Sequence, residues 1–312
     1  MKKSKPVFGI ESTLLTLPLN PKPFLRWAGG KRKLVPIINE LFPVKFNGTI
    51  NFFYEPFVGG GALNLFLGNA NLKNFVAGPK LVINDINPDL ITTYLVVRDH
   101  VEDLIVALDL VSQDLSKNAF ERVRSYKPIN DIETAARFIY LNKTCFNGLW
   151  RVNSKGEFNV PWGKLKNPKI FDRNELRTVS SRLKGAKIRN VNFAKAVEDA
   201  RAGDLVYFDP PYVPLSSSSS FSKYAKEDFG DMDHFALSGV IEGLSSKGVH
   251  VILSNSDTPR TREIYGSILD LRQINVQRNI SAAAASRVIV KELIGVNFSV
   301  PKENKFSQLK VI

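Results

Sequence analysis

The chain has 312 residues, 44% of them hydrophobic, enough for a substantial core in one large domain or in one domain carrying an insertion. Its one cysteine, Cys145, excludes an internal disulfide and a cysteine-based zinc site, and His100, His234 and His250 lie far apart without metal-ligand spacing. Lys and Arg number 43 against 30 Asp and Glu, a net charge of +13, which points to a polyanionic partner without naming it.

No stretch reaches the ~18 consecutive apolar residues of a membrane-spanning helix, and the opening MKKSKPVFGIESTLLTLPLN has a broken apolar stretch and no small-residue cleavage site. A cytoplasmic protein with no membrane partner is expected, with residues 1–20 as a flexible leader. Beyond the leader the pattern is α/β. NFFYEPFVGGGALNLFL reads as strand, glycine turn and helix, and KLVINDINPDLITTYLVVRDHVEDLIVALDL as a second strand followed by helical material. Between about Leu90 and Thr144 strand signals fade. DIETAARFIYLNKT carries Ala, Phe, Ile and Leu at helical spacing and predicts an amphipathic helix within an inserted, mainly helical domain. Strand patterns return at KIRNVNF, DLVYFDPPY, HVILSN and RVIVKELIGVNF, with the helix DHFALSGVIEGLSSKG between the second and third. SSSSSF at 216–221 reads as a loop, and the terminal PKENKFSQLKVI as a tail or short strand.

Two strand ends carry acids beside unusual backbone. In the turn Tyr54 to Gly61, three glycines permit positive φ and close approach to a ligand, next to the free N–H groups of a helix N-terminus. The turn does not complete G-x-G-x-x-G, since position 64 is Asn, and the chain has no G-x-x-x-x-G-K-[ST] loop. Asp85, at the end of the next strand, can accept hydrogen bonds from both ribose hydroxyls of a nucleoside. An Asx turn or helix cap is the competing role for Asn84, Asp85 and Asn87. Asp209 ends the strand pattern of DLVYFDPPY, at the carboxyl edge where open α/β sheets bind ligands, and Pro210 and Pro211 then remove two N–H donors. What remains is a carboxylate and carbonyl acceptors beside the ring of Tyr212. That set suits a flat substrate with an exocyclic amino group, whose two hydrogens it can accept while the ring stacks.

Four stretches together resemble the DNA adenine-N6 methyltransferases of the Dam type, the D12 class, in which the glycine motif precedes target recognition and D-P-P-Y. They are FLRWAGGKRKL at 24–34, YEPFVGGGALNL at 54–65, LNKTCFNGLWRVNSKGEFNVPWGK at 141–164 and FDPPY at 208–212, spread in order over roughly residues 22 to 300. The resemblance implies a mixed seven-stranded methyltransferase sheet flanked by helices, with a mainly helical DNA-recognition domain carrying a β-hairpin inserted at 89–175 into a catalytic domain at 21–88 and 176–312. It implies S-adenosylmethionine as methyl donor. Trp27, Ala28, Gly29, Gly30 and Lys31 would line the cofactor pocket with Glu55, Phe57, Gly59, Asp85 and Asp209. Asp209 and Pro210, followed by Pro211, would hold the amino group of a flipped adenine, and Tyr212 would stack on its ring. The base must leave the duplex because nitrogen, methyl carbon and sulfur have to lie in line. No metal and no covalent nucleophile are called for, and Cys145 has no strand-end context for cytosine C5 chemistry.

The partner implied is double-stranded DNA, bound by a monomer or weak dimer. The 141–164 stretch interleaves Lys143, Arg151, Lys155 and Lys164 with Phe146, Trp150 and Trp162, which suits phosphate contact with a wedge or stacking surface. A hairpin packing its aromatics inward competes for Phe158 and Trp162. By the resemblance Arg151 reads guanine in GATC, and Asn147, Leu149 and Pro161 surround the target adenine. Bidentate pairing of Arg to guanine O6 and N7 supplies about 1–3 kcal/mol of discrimination. Arg26 stands where GATC-specific members carry Lys at a first guanine contact, and Phe146 where they carry Tyr. SAAAASR at 281–287 replaces a polar Asn- and Gly-containing loop, leaving Arg278, Arg287 and Lys291 for phosphate. A same-fold methyltransferase acting on RNA or protein amides and a catalytically silent DNA-binding relative remain alternatives. Host maintenance, restriction–modification and phage roles are equally open.

Overall fold

A computed structural model describes residues 22–27, 29, 34–41, 50–67, 80–213, 229–279 and 287–300. The leader 1–20, Ala28, Gly30, Lys31, the serine run 216–221, most of the SAAAASR stretch and the terminal PKENKFSQLKVI lie outside the described residues.

In chain order the elements are α1 (Val35–Leu41), β1 (Phe52–Glu55), α2 (Ala62–Leu67), β2 (Lys80–Asn84), α3 (Pro88–Asp99), α4 (Val101–Val111), α5 (Lys117–Ser125), α6 (Asp131–Thr144), α7 (Arg173–Leu183), β3 (Lys187–Arg189), α8 (Phe193–Ala196), β4 (Leu205–Phe208), α9 (Asp231–Ser246), β5 (His250–Ser256), α10 (Pro259–Tyr265), β6 (Asp270–Asn279) and β7 (Arg287–Val296). The strands form the expected mixed seven-stranded sheet, in the order β3-β2-β1-β4-β5-β7-β6. The first five run parallel, and β7 is antiparallel to both β5 and β6.

Strand periodicity divides the core into two layers. Phe53, Leu81, Ile83, Leu205, Tyr207 and Ile252 point to one face and pack with α1, α3, α4, α6 and α7. The alternate residues Tyr54, Val82, Val206, Phe208, Val251 and Leu253 pack with α8, α9 and α10 on the other. Helices thus pack on both faces of the sheet. The chain builds outwards from β1 to β2 and β3, then returns to lay β4 on the other side of β1. The carboxyl ends of β1 and β4 therefore flank the switch point, where such sheets bind ligands.

Helix starts follow the capping residues. Asn87 accepts from Leu90 N at 3.1 Å ahead of Pro88, Asn130 from Glu133 N at 2.9 Å, and Asp172 from Glu175 N at 3.0 Å. The predicted helix DIETAARFIYLNKT is α6, residue for residue. The expected strand KIRNVNF stops at Arg189, because Asn192 caps α8 through a bond from Ala194 N at 2.9 Å. Between β2 and β3 lie α3 to α7 and, from Cys145 to Gly163, a hairpin closed by only two isolated antiparallel bridges, Cys145 to Trp162 and Val152 to Phe158. Phe120, Tyr140, Leu141, Cys145, Phe158 and Val160 form a small separate core beneath it.

Candidate active site and nucleic-acid interface

The glycine turn is tied down from several sides. Gly59 and Gly61 have φ of +46° and +69°. Gly59 N donates to Asp85 Oδ2 at 3.1 Å, Tyr94 Oη donates to Gly59 O at 2.9 Å, and Asn84 Nδ2 donates to Pro56 O at 2.9 Å. The indole of Trp27 lies on the turn so closely that a Cβ at Gly59 would sit 2.5 Å from Trp27 Cδ1. Close approach is thus needed by the protein's own Trp27, which explains glycine there in the absence of any ligand.

Asp85 fills the structural role that competed for it: Oδ1 accepts from Asn87 N at 3.0 Å, an Asx turn, while Asn87 itself caps α3. Burial raises its pKa above the usual carboxylate value, against the backbone N–H groups of Asn87, Gly59 and Ile86 that lower it. A carboxylate has about four lone-pair sites, so this one can still accept from a ligand hydroxyl. Asn84 is fully enclosed, donating also to Val191 O at 3.0 Å and accepting from Val191 N at 2.9 Å. Sequence reasoning missed its part in fixing the turn. Glu55 is buried at the end of β1, and Phe57 packs against Phe193 and Phe208 with ring centroids 5.7 and 6.4 Å apart. Two carboxylates at adjacent strand ends accept hydrogen bonds, and with the glycine backbone and a phenyl ring they fit a ligand with hydroxyls, an ammonium group and a flat base.

Across the switch point, the Asp209 loop is held by the end of β5. Ser254 Oγ donates to Asp209 Oδ1 at 2.9 Å and lies 2.9 Å from Tyr207 Oη. Asn255 Oδ1 accepts from Val213 N at 3.1 Å, and Ser256 Oγ donates to Val213 O. All three polar residues are buried at the end of an otherwise apolar strand. That polar run was the available signal for them. Tyr212 Oη donates to Glu292 Oε2 at 3.0 Å, with Glu292 buried on β7. Burial, with Asp209 and Glu292 beside it, holds the Tyr212 phenol well above its ordinary pKa, so it remains a donor. Pro210 is buried and Pro211 exposed.

The hairpin presents a different surface from its interior. Phe146, Leu149, Arg151 and Pro161 are exposed, as is Asn147, whose φ is +55°. Arg151 Nε donates to Asn159 Oδ1 at 2.7 Å, which pre-sets the guanidinium. Trp150 instead stacks on Phe138 of α6, centroids 3.8 Å apart, and against the buried Phe158 at 4.7 Å. The inward reading holds for Phe158, and Trp150 is half-buried in the same stack. Lys143 is half-buried; desolvation, then the neighbouring Arg26, brings its pKa down to about 8 against the pull of Glu175. Arg26 is exposed at the base of the hairpin and Gly29 has φ of +77°. Burial pushes the Cys145 thiol up to about 11, an unreactive position under the hairpin. Arg278 and Arg287 fall on the paired far ends of β6 and β7, with side chains outside the described residues. Among the described residues no cluster of three or more His, Cys, Asp or Glu could hold a metal, and no helix is long and apolar enough to cross a membrane.

An acceptor-only strand end beside a glycine turn at the switch point of this sheet is the architecture of a methyltransferase acting on an amino group. The family model for D12 class N6 adenine-specific DNA methyltransferases matches residues 27–280, and the chain belongs to that family. It is similar to the type II methyltransferase M1.LlaDCHI of Lactococcus lactis subsp. cremoris, 41% identical over 90% of this chain and 96% of the relative. It is also 43% identical to the type II methyltransferase M.MjaIII of Methanocaldococcus jannaschii, over 75% and 84% of the two chains. The DNA adenine methylase of Haemophilus influenzae is 37% identical over 89% of this chain and 94% of its own length. The chain is thus an adenine-specific DNA methyltransferase.

Proposed function

We propose that this methyltransferase transfers a methyl group from S-adenosylmethionine to N6 of an adenine flipped out of duplex DNA, within the site GATC. The observation that carries the chemistry is Asp209, aimed by Ser254 at the switch point and followed by two residues without N–H groups. Asp209 and the Pro210 carbonyl accept the two amino hydrogens, and this favours a pyramidal, more nucleophilic nitrogen. As positive charge develops on N6, the Asp209 carboxylate stabilises it electrostatically. Tyr212 stacks on the base, its ring fixed through Glu292.

When bound, S-adenosylmethionine supplies an electrophilic methyl group on a sulfonium that is its own leaving group. Glu55, Phe57, Gly59 and Asp85, with Trp27 through Lys31, would hold that ligand. On the DNA side, the chain divides into a recognition unit at 89–175 and a catalytic unit at 21–88 and 176–312. Exposed Phe146 and Leu149 act as the wedge in the emptied stack. Arg151 and Arg26 read guanine, while Lys143, Lys155 and Lys164 meet phosphate, as do Arg278 and Arg287.

The test is methyl transfer from labelled S-adenosylmethionine to a duplex with one GATC. Label is expected in N6-methyladenine, with kcat/KM falling at least about tenfold when either guanine is replaced. Label in cytosine, or equal rates on every duplex, contradicts the reading.

A further inference from the structure

Asn142 sits in the last turn of α6, wholly enclosed, and none of its side-chain hydrogen bonds serves its own helix. Its Oδ1 accepts from Arg26 N at 2.8 Å, and its Nδ2 donates to Arg26 O at 2.7 Å and to Gly148 O at 3.1 Å. A two-point grip on one residue's backbone, plus a third bond to the hairpin, joins segments 116 residues apart at a single side chain. The joint is tight on its other side as well. Gly148 has φ of +65°, and a Cβ there would lie 2.5 Å from Arg26 Cβ and 2.9 Å from Arg26 Cδ.

One helical turn before Asn142, Phe138 continues the same face of α6. Its ring lies 6.4 Å from Trp27 and 3.8 Å from Trp150, both near parallel. Trp27 covers Gly59 and Gly60, and Trp150 packs on Phe158 inside the hairpin. One face of α6 therefore holds the segment entering the glycine-turn side at residues 26–27 and the DNA-facing hairpin at 148–150.

We infer that Asn142 is the positioning residue that sets Arg26 and Arg151 in register with one another, so that guanine discrimination depends on a side chain that touches no DNA. The inference rests on the proposed reading of Arg26 and Arg151 as guanine readers. Moving Arg26 by even a fraction of an ångström relative to the hairpin degrades bidentate geometry at guanine and leaves the Asp209 loop untouched.

Two variants press on the joint from opposite sides. Asn142→Asp keeps the shape and the Oδ1 acceptor but loses the donor to Arg26 O and Gly148 O. Gly148→Ala leaves Asn142 intact and pushes on Arg26 directly. For each, kcat/KM is measured on the cognate duplex and on duplexes with one guanine replaced, with circular dichroism melting to confirm folding and S-adenosylhomocysteine titration to report the cofactor side. We expect the cognate-to-variant ratio to fall about tenfold in both while kcat on cognate DNA changes less. A fold defect alone would lower the active fraction equally for all duplexes and leave the ratio unchanged. Ratios within twofold of the native protein's in a folded variant overturn the inference. Should the native protein methylate adenine without preferring guanine, the functional reading fails and the inference with it; native preference retained by both variants defeats the inference alone.

Discussion

Ser254 Oγ donates to Asp209 Oδ1 at 2.9 Å across the boundary between β5 and the end of β4, with Tyr207 Oη 2.9 Å away on the buried side. The acid proposed to accept from the adenine amino group is thus oriented by a serine 45 residues further along the chain. Ser254→Ala removes that bond and with it one restraint on the orientation of the carboxylate. Since reaction at N6 needs Asp209 in one orientation, kcat should fall about ten- to a hundredfold with KM for DNA little changed. Tyr207→Phe should show a smaller loss in the same direction. Single-turnover methylation with each variant, and separate DNA titrations, check both.

Tyr212 separates ring from hydroxyl. Tyr212→Phe keeps the stacking face and removes the donor to buried Glu292, so about 1–3 kcal/mol of stability should be lost while kcat drops only modestly. Tyr212→Ala removes the stacking surface, worth about 1–3 kcal/mol per base, and should also lower the fluorescence of 2-aminopurine placed at the target position. Equal effects of the two variants on kcat would contradict the division.

With Lys143 in its proposed role at phosphate, DNA binding acquires a pH dependence. Its pKa is pulled from the ordinary lysine value to about 8, chiefly by burial. The ammonium is present below pH 8 and lost above it, so DNA affinity should decline as pH rises from 7 to 9. The salt slope should shrink by about 1 across that window. Lys143→Arg, which stays charged, should flatten the pH profile. The sign for folding is opposite: between pH 8 and the unfolded lysine pKa the unfolded chain binds more protons, so this residue favours the folded state increasingly as pH rises there.

His234 is buried against Phe229 and hydrogen-bonds Tyr265 Oη through Nδ1 at 2.8 Å. Burial lowers its pKa from 6.5 to about 4. A base depressed on folding stabilises the native state above pH 6.5, and that contribution is lost as pH falls from 6.5 to 4. His234→Phe should remove this part of the acid dependence of Tm, measured by calorimetry between pH 4 and 8.

Gly59→Ala should be among the most damaging single-methyl changes in the chain. The new Cβ would meet the Trp27 indole at 2.5 Å from a backbone with φ of +46°. Strain of about 1–3 kcal/mol from the backbone alone, added to the clash, should lower Tm and weaken S-adenosylhomocysteine binding together. Gly156→Ala, at a hairpin tip with open space around the added carbon but a φ of +76°, provides a control for the backbone term by itself.

Elements with a strong period were readable from sequence: α6 has matching helical spacing and an Asn130 cap, and β1, β2, β4 and β5 are short apolar runs ended by polar residues. The outermost strand β6 was missed because DLRQINVQRN is mostly polar, and it pairs with β7 alone. Asp209 and the glycine turn were visible because their backbone demands leave marks, proline and glycine, in the sequence itself. Glu292 and Asn142 leave none, and Ser254 leaves only the polar end of an apolar strand. Each is an ordinary residue in a strand or helix whose meaning comes from a partner far along the chain, and only the sheet order and α6 bring them together. Trp150 misled in the other direction: an aromatic among cations resembles a stacking surface, but here it stacks on Phe138.

The most direct test is to express the chain in cells lacking adenine methylation and map N6-methyladenine across the genome by modification-sensitive sequencing, with Asp209→Ala beside it. The account predicts methylation confined to GATC and abolished in the variant. Methyladenine at another sequence would contradict the assignment of Arg26 and Arg151, and methylation surviving Asp209→Ala would contradict the chemistry.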